Sequence, residues 1–146
     1  MAGHLSDDDL AVFLRAVRVF ATLAERSAES VGLTLAQMRL LLTLSELGTA
    51  SCSAVAARLH VNVSSVTRLV ARPAMSSLVS RKVSPANASA VNLELTAKGQ
   101  ATVRSVTASR RRALRVALAG IDVPTASATG SGLARIVDVI GVEVGS

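Results

Sequence analysis

The chain has 146 residues, with 16 Lys plus Arg against 10 Asp plus Glu for a net charge of +6, and its length fits one domain. Half of it is apolar, 18% is charged and the mean hydropathy is +0.47, which excludes a disordered chain and permits a sizeable core. Arg15, Arg18, Gln37, Arg39, Arg58 and Arg68 interrupt every apolar run short of the ~20 residues a membrane span needs, and an acidic start at Asp7, Asp8 and Asp9 is unlike a secretory signal, so a cytoplasmic location is expected.

Ser6 with Asp9 three residues on forms a cap, and Leu10, Phe13, Leu14, Val17, Phe20, Ala21 and Ala24 then recur at helical spacing, which predicts a long first helix to about Ser30. Thr34 and Gln37 form a capping box for a second helix that Gly48 stops. Ser51 can cap a short third helix, Cys52 to Leu59, with Val55, Ala56 and Leu59 inward. A three-residue turn, His60 to Asn62, leads into a fourth helix with Asn62 as its candidate cap. That helix turns Val66, Leu69 and Val70 inward and leaves Ser64, Ser65, Thr67, Arg68 and Arg72 outward. Two short helices joined by a tight turn, the second bearing small hydroxyls and then Arg, are what helix-turn-helix docking requires.

After Pro73 the period changes to two. Val79, Arg81 and Val83 alternate with Ser80 and Lys82, and Val91, Leu93 and Leu95 with Asn92 and Glu94, which predicts a hairpin with a six-residue loop, Ser84 to Ser89. Directly behind a helix-turn-helix, such a hairpin is a wing. Thr96 opens a long helix to about Ala119, the Gly-, Ser-, Thr- and Ala-rich stretch Gly120 to Gly132 reads as a loop, and a last short helix runs from about Leu133 to Val142.

The charge is regional. Residues 1–50 hold four basic and six acidic side chains, and residues 116–146 hold Arg135 against Asp122, Asp138 and Glu143, so each end is at −2. Residues 51–115 hold eleven basic side chains against Glu94 alone, a net +10. A positive middle between mildly acidic ends fits a surface that meets a polyanion, although on charge alone a solvated arginine face fits equally well.

Other chemistries find little support. Cys52 has no thiol partner, and with only His4 and His60 beside it no metal site is expected. At a helix N-terminus Cys52 could serve as a thiol sensor, but a small packing residue is the expectation, as a turn residue is for His60. Two aromatic residues, Phe13 and Phe20, offer no platform for stacked bases. Arg110, Arg111 and Arg112 point in several directions from one helical turn and could meet phosphates, dimer salt bridges or solvent, with a dimer or solvent role the expectation. No nucleophile with a base, no carboxylate pair and no phosphate loop is visible, so no enzyme, no catalytic residues and no cofactor are expected.

The order of elements and the residues within them resemble the MarR family of winged helix-turn-helix transcription regulators over about Leu5 to Leu118, most strongly from Leu33 to Gly99. Leu33, Thr34, Gln37, Leu41 and Leu42 look like the family's second helix. Leu59, Val61, Ser64, Val66, Thr67, Arg68, Leu69, Val70 and Arg72 look like its turn and recognition helix. Leu78 and Val79 look like its first wing strand, and Ser84, Pro85, Ala90, Leu93, Leu95, Thr96 and Gly99 like its wing and following helix. The resemblance implies a mainly helical fold with a small β-wing: an N-terminal dimerisation helix in residues 1–32, a winged helix-turn-helix in 33–95, and C-terminal dimerisation helices in 96–146. It implies a homodimer, double-stranded DNA as partner, and room for a small-molecule effector.

The departures fall on the DNA-facing parts. Where the family's wing tip carries an acid and two basic residues that reach the minor groove, this chain has Asn87, Ala88 and Ser89. Ala71 stands where an acid commonly pairs with the wing Arg, so both partners are absent together. Pro73 is expected to end or kink the recognition helix. His60 and Ser77 replace turn glycines at roughly 1 kcal/mol each if positive φ is required.

The function expected is a DNA-binding regulator, in the first instance a repressor, whose dimer reads a pseudo-palindromic operator. Ser64, Ser65, Thr67 and Arg68 would enter the major groove, with Arg72, Arg81 and Lys82 on phosphates. The other reading is a degenerate dimer of the same type that has lost specific DNA binding and serves as a ligand-binding or protein-interaction module. If the wing has lost a groove contact, Asn87→Asp with Ala88→Arg and Ser89→Arg should tighten binding to any duplex and steepen the salt dependence by up to roughly two units of slope. A salt titration showing equal slopes for the wild type and this variant would mean that the wing is not deficient.

Overall fold

In the computed structural model, residues 5–144 are described, apart from the side chains of residues 88–90 and 142–144. His4 and the Ala88 and Ser89 side chains therefore lie outside the described residues. Six helices and a three-stranded antiparallel sheet make up the fold: α1 (Asp7–Glu29), α2 (Leu35–Leu47), β1 (Ala50–Ser51), α3 (Cys52–Leu59), α4 (Val63–Val70), β2 (Val79–Ser84), β3 (Asn87–Leu95), α5 (Ala97–Leu118) and α6 (Val123–Val144), with a single 3-10 turn at Pro73–Met75. The mainly helical, winged architecture expected from the sequence is present.

Local capping fixes most of the boundaries. At α1 the Asp9 N–H donates to Ser6 Oγ (3.1 Å) and the Ser6 N–H donates back to Asp9 Oδ2 (3.2 Å). Thr34 and Gln37 make the same reciprocal pair at α2, at 3.2 and 2.9 Å. Gly48, at φ 72°, ends α2 in a conformation that a Cβ would strain. Ser51 Oγ accepts from the Ala54 N–H (3.1 Å) at α3.

The core forms around α2, whose Met38, Leu40, Leu41 and Leu44 are fully enclosed. Val55 of α3, Val66 of α4, Met75, Leu93 of β3 and Val106 of α5 close over them. Cys52 packs against the edge of this cluster, in keeping with a packing role.

Four features differ from the sequence-based expectation. The segment Gly120–Gly132 is not a loop, because α6 is 22 residues long and takes in nearly all of it. Its start is set by Asp122, whose Oδ1 accepts from the Thr125 N–H (3.0 Å), while Pro124 falls in the first turn, where a missing N–H costs nothing. The wing loop is shorter than six residues: Ser84 pairs with Asn87, leaving Pro85 and Ala86 as the turn, and the register shifts next to Val83, which pairs with Val91. A short strand, β1, sets Ala50 against Leu93 and Ser51 against Asn92 on the outer side of β3. Finally, Arg110 does not face a dimer contact or solvent alone: its Nε donates to Ser27 Oγ (2.8 Å) and its Nη2 to the Ala24 carbonyl (3.3 Å), tying α5 to α1, and burial pulls its pKa below the usual arginine value.

The wing root and α5 meet at one close junction. The Thr96 N–H donates to the Leu78 carbonyl (3.0 Å), Thr96 Oγ1 donates to the Ser77 carbonyl (2.7 Å) and accepts from the Gly99 N–H (3.0 Å). A Cβ on Gly99 would lie 2.1 Å from the Leu78 carbonyl oxygen. Gly99→Ala should therefore destabilise the fold by about 2 kcal/mol, the cost of overpacking against immobile backbone. That corresponds to a fall of roughly 6 °C in thermal midpoint for a chain of this size. A midpoint unchanged or raised, as helix propensity alone would give, would show that the junction relaxes freely.

Candidate nucleic-acid interface

α3 and α4 are joined through a tight αL turn. The Val61 N–H donates to the Ala56 carbonyl (3.0 Å) and the His60 N–H to the Ala57 carbonyl (3.2 Å), which places His60 at φ 54°, ψ 47°. Glycine would take this conformation without strain; histidine holds it at about 1 kcal/mol. His60 is the sole non-glycine residue with positive φ among the described residues, so the strain expected at Ser77 is absent.

α4 is short and sharply two-sided. Val66 and Val70 are buried, Leu69 is half-buried, and Ser64, Thr67 and Arg68 are exposed. Asn62 occupies the cap position but its side chain makes no capping bond, contrary to expectation. Ser65 is half-buried rather than fully outward, and its Oγ accepts from Arg68 Nη2 (3.3 Å), which steadies the guanidinium on the helix surface. Thr67 Oγ1 donates to the Val63 carbonyl (3.1 Å), so its proton is committed and its lone pairs are what it can offer a ligand.

α4 ends at Val70, before Arg72. Arg72 is extended (φ −66°, ψ 139°), as a residue preceding Pro73 must be, and is exposed at the start of the 3-10 turn. Arg68 and Arg72 thus stand on different backbone geometries at the two sides of the helix end.

On the wing, Arg81 and Lys82 are neighbours in sequence and project to opposite faces of the sheet. Arg81 lies opposite Leu93, beyond the edge of the core, and is exposed. Lys82 pairs with Glu94 across β2 and β3. Glu94 also accepts from Thr49 Oγ1 (3.2 Å) and Ser80 Oγ (3.4 Å), and the Lys82 ammonium beside it holds its carboxyl below the usual carboxylate range. This four-residue cluster went unread in the sequence; its one signal was that Glu94 is the lone acid in residues 51–115. Val83 and Val91, paired across the strands near the tip, are both exposed.

The eleven basic side chains of the middle segment therefore divide by role, with Lys98 exposed in the first turn of α5. Arg58 pairs with Glu46 (3.2 Å), Lys82 with Glu94, and Arg110 is used internally. Arg68, Arg72 and Arg81 remain exposed from α4 to β2, a stretch with no acid between Val61 and Leu93. Arg104, Arg111, Arg112 and Arg115 line a groove along α5. Between α2, β3 and α5 lies a cavity of about 400 Å³ whose lining includes Thr49, Glu94, Gln100 and Arg104.

Comparison with known proteins places this geometry. Residues 33–91 match the model of the MarR family. RV1404 from Mycobacterium tuberculosis is similar in structure at a TM-score of 0.80 and 25% identity, over 95% of this chain and 97% of that one. MarR from E. coli superposes at a TM-score of 0.74 with 16% identity, over 92% and 98%. A mutant of S. aureus MepR bound to an oligodeoxyribonucleotide superposes at 0.69 with 16% identity, over 94% and 99%. No curated protein matches the sequence. The MarR family comprises transcription regulators rather than enzymes. Among the described residues no helix is long and apolar enough to cross a membrane.

Proposed function

We propose that this chain, which carries the winged-helix fold of MarR-family transcription regulators, is itself a dimeric DNA-binding regulator, acting as a repressor on a pseudo-palindromic operator. The observation that carries this reading is the exposed face of α4: Ser64, Thr67 and Arg68 free at the surface, Arg68 steadied by Ser65, and no acid from Val61 to Leu93 to repel phosphate. A fold shared with an oligonucleotide-bound relative supports it. In this reading Ser64, Ser65, Thr67 and Arg68 meet base edges in the major groove, and Arg72 and Arg81 meet phosphates. Lys82 stands in the same phosphate-facing group but is engaged by Glu94. The neutral tip at Asn87 to Ser89 leaves the wing with weaker groove contacts than a basic tip would make. The cavity beside Glu94 and Arg104 offers a small-molecule effector a place next to the wing root.

Residues 1–32 and 96–146 would form the dimer, with 33–95 reading DNA. What supports this is apolar surface that the chain leaves open. Phe13, Val17 and Phe20 of α1 are 41–66% exposed, and Ile136, Val137 and Ile140 of α6 are 38–65% exposed. A further cavity of about 420 Å³ remains between α6 and the α1–α5 pair, lined by Phe20, Leu114, Leu118, Ala126 and Leu133. A chain that stayed alone in water would pay for this surface in solubility. Light scattering after size exclusion should give twice the chain mass at micromolar concentration; a stable monomer there would refute the dimer.

The two classes of DNA contact separate by experiment. Arg68→Ala should cost about 1 to 3 kcal/mol on the selected operator and relax base preference, whereas Arg81→Ala should weaken all sequences alike and lower the salt slope by about one unit. Unchanged operator binding in Arg68→Ala would remove α4 from the groove.

A further inference from the structure

The wing cluster carries an inference beyond the contact surface, and it rests on the DNA-binding reading above. We propose that Glu94 is a negative determinant of DNA affinity: it neutralises Lys82 at the wing root and so withholds one phosphate contact that the sequence otherwise supplies.

The geometry makes the carboxylate the fixed member of the pair. Glu94 sits on the middle strand, its side chain 28% exposed, and two hydroxyls hold it from either side: Thr49 just ahead of β1 and Ser80 on β2. Lys82 is the mobile member, its side chain 62% exposed on a long flexible stem at the outer strand. An exposed ion pair of this kind holds its lysine loosely, so the ammonium can swing away. The carboxylate, on the shorter stem and with two hydroxyls beside it, is the partner that stays behind.

A phosphate that drew Lys82 outward would thus meet a fixed negative charge behind it. Pair and phosphate together then release no counterion, which is the source of affinity for a lone cation. Arg81 projects from the opposite face of the sheet and is outside this control. Glu94 has no other basic partner among the hydrogen bonds and ion pairs of the described residues, so its effect is directed at Lys82.

Glu94→Gln keeps one acceptor oxygen for one of the two hydroxyls, offers its amide N–H to the other, which can accept, and removes the charge. Binding of the full chain to a mixed-sequence DNA duplex, titrated with salt, should become about eightfold tighter at about 0.1 M salt for each protomer engaged, with the slope steeper by about 0.9 per protomer. Lys82→Ala should flatten the slope much less in the wild type than in Glu94→Gln, where it should abolish the gain. A gain that survives Lys82→Ala would reflect general charge rather than this pair and would overturn the proposal. So would a fall of slope in Lys82→Ala alone as large as that in Arg81→Ala, a comparison that leaves Glu94 in place and so tests the idea even if Glu94→Gln folds poorly. The parent reading fails separately: if Arg68→Ala leaves operator binding unchanged while Glu94→Gln still tightens the duplex through Lys82, the recognition helix is misassigned and the role of Glu94 stands.

Discussion

The carbonyl oxygen of Leu78 is the point at which this fold is fastened. It accepts the Thr96 N–H where β3 gives way to α5, and it lies so close to Gly99 that no side chain fits between them. Through Thr96 the same junction also grips the Ser77 carbonyl and caps α5. One residue type at one position therefore sets how near the helix may come to the sheet. Two elements set out from it: the strand that bears Arg81 and Lys82 begins at Val79, and the helix that lies along α1 begins at Ala97. Val103 and Val106, one and two turns further along α5, are buried in the core.

The surface so positioned is selective about which charges it leaves available. A net of +10 over the middle of the chain suggests a broad electropositive face, but three of the eleven cations are spent within the protein. Those left between α4 and β2 are few and held in different ways: Arg68 braced along a helix, Arg72 on an extended residue fixed by Pro73, and Arg81 on a strand. Brace and backbone both reduce the rotamer freedom lost on contact with a ligand. Affinity built this way depends on placement more than on the total charge.

What was legible in the sequence was what is local. The caps at Ser6, Thr34, Ser51 and Thr96 stand within three residues of the amides they satisfy, so the boundaries of α1, α2, α3 and α5 followed from short patterns. The helix-turn-helix and its wing followed from a change of hydrophobic period. α6 was missed over its first half because Gly, Ser and Thr have weak helix propensity and the small Ala residues among them mark no apolar stripe, while its cap rests on one Asp122 bond. β1 has two residues, too few for any period. The roles of Arg110 and Glu94 depend on partners far away in the chain, Ser27 in one case and Thr49 and Lys82 in the other, and no spacing rule reaches that distance. The resemblance to MarR regulators pointed to α4 and the wing as the candidate contact surface, but the engagement of Lys82 is a property of this chain's own side chains.

The distribution of burial along the two long helices has a thermodynamic consequence. α1 is enclosed by its own chain only near Ser27 and Ala28, and α5 only from Gly99 to Val106. Arg110 and its bonds to Ala24 and Ser27 mark the frontier. Beyond it, each helix is continuous in hydrogen bonding yet has no interior to rest against, so its opening free energy is set by helix propensity and by whatever covers it from outside. A single uninterrupted helix is in this way two cooperative units. The half within the winged core opens with the global fold, and the outer half, in the proposed dimer, opens at a cost that rises with protein concentration.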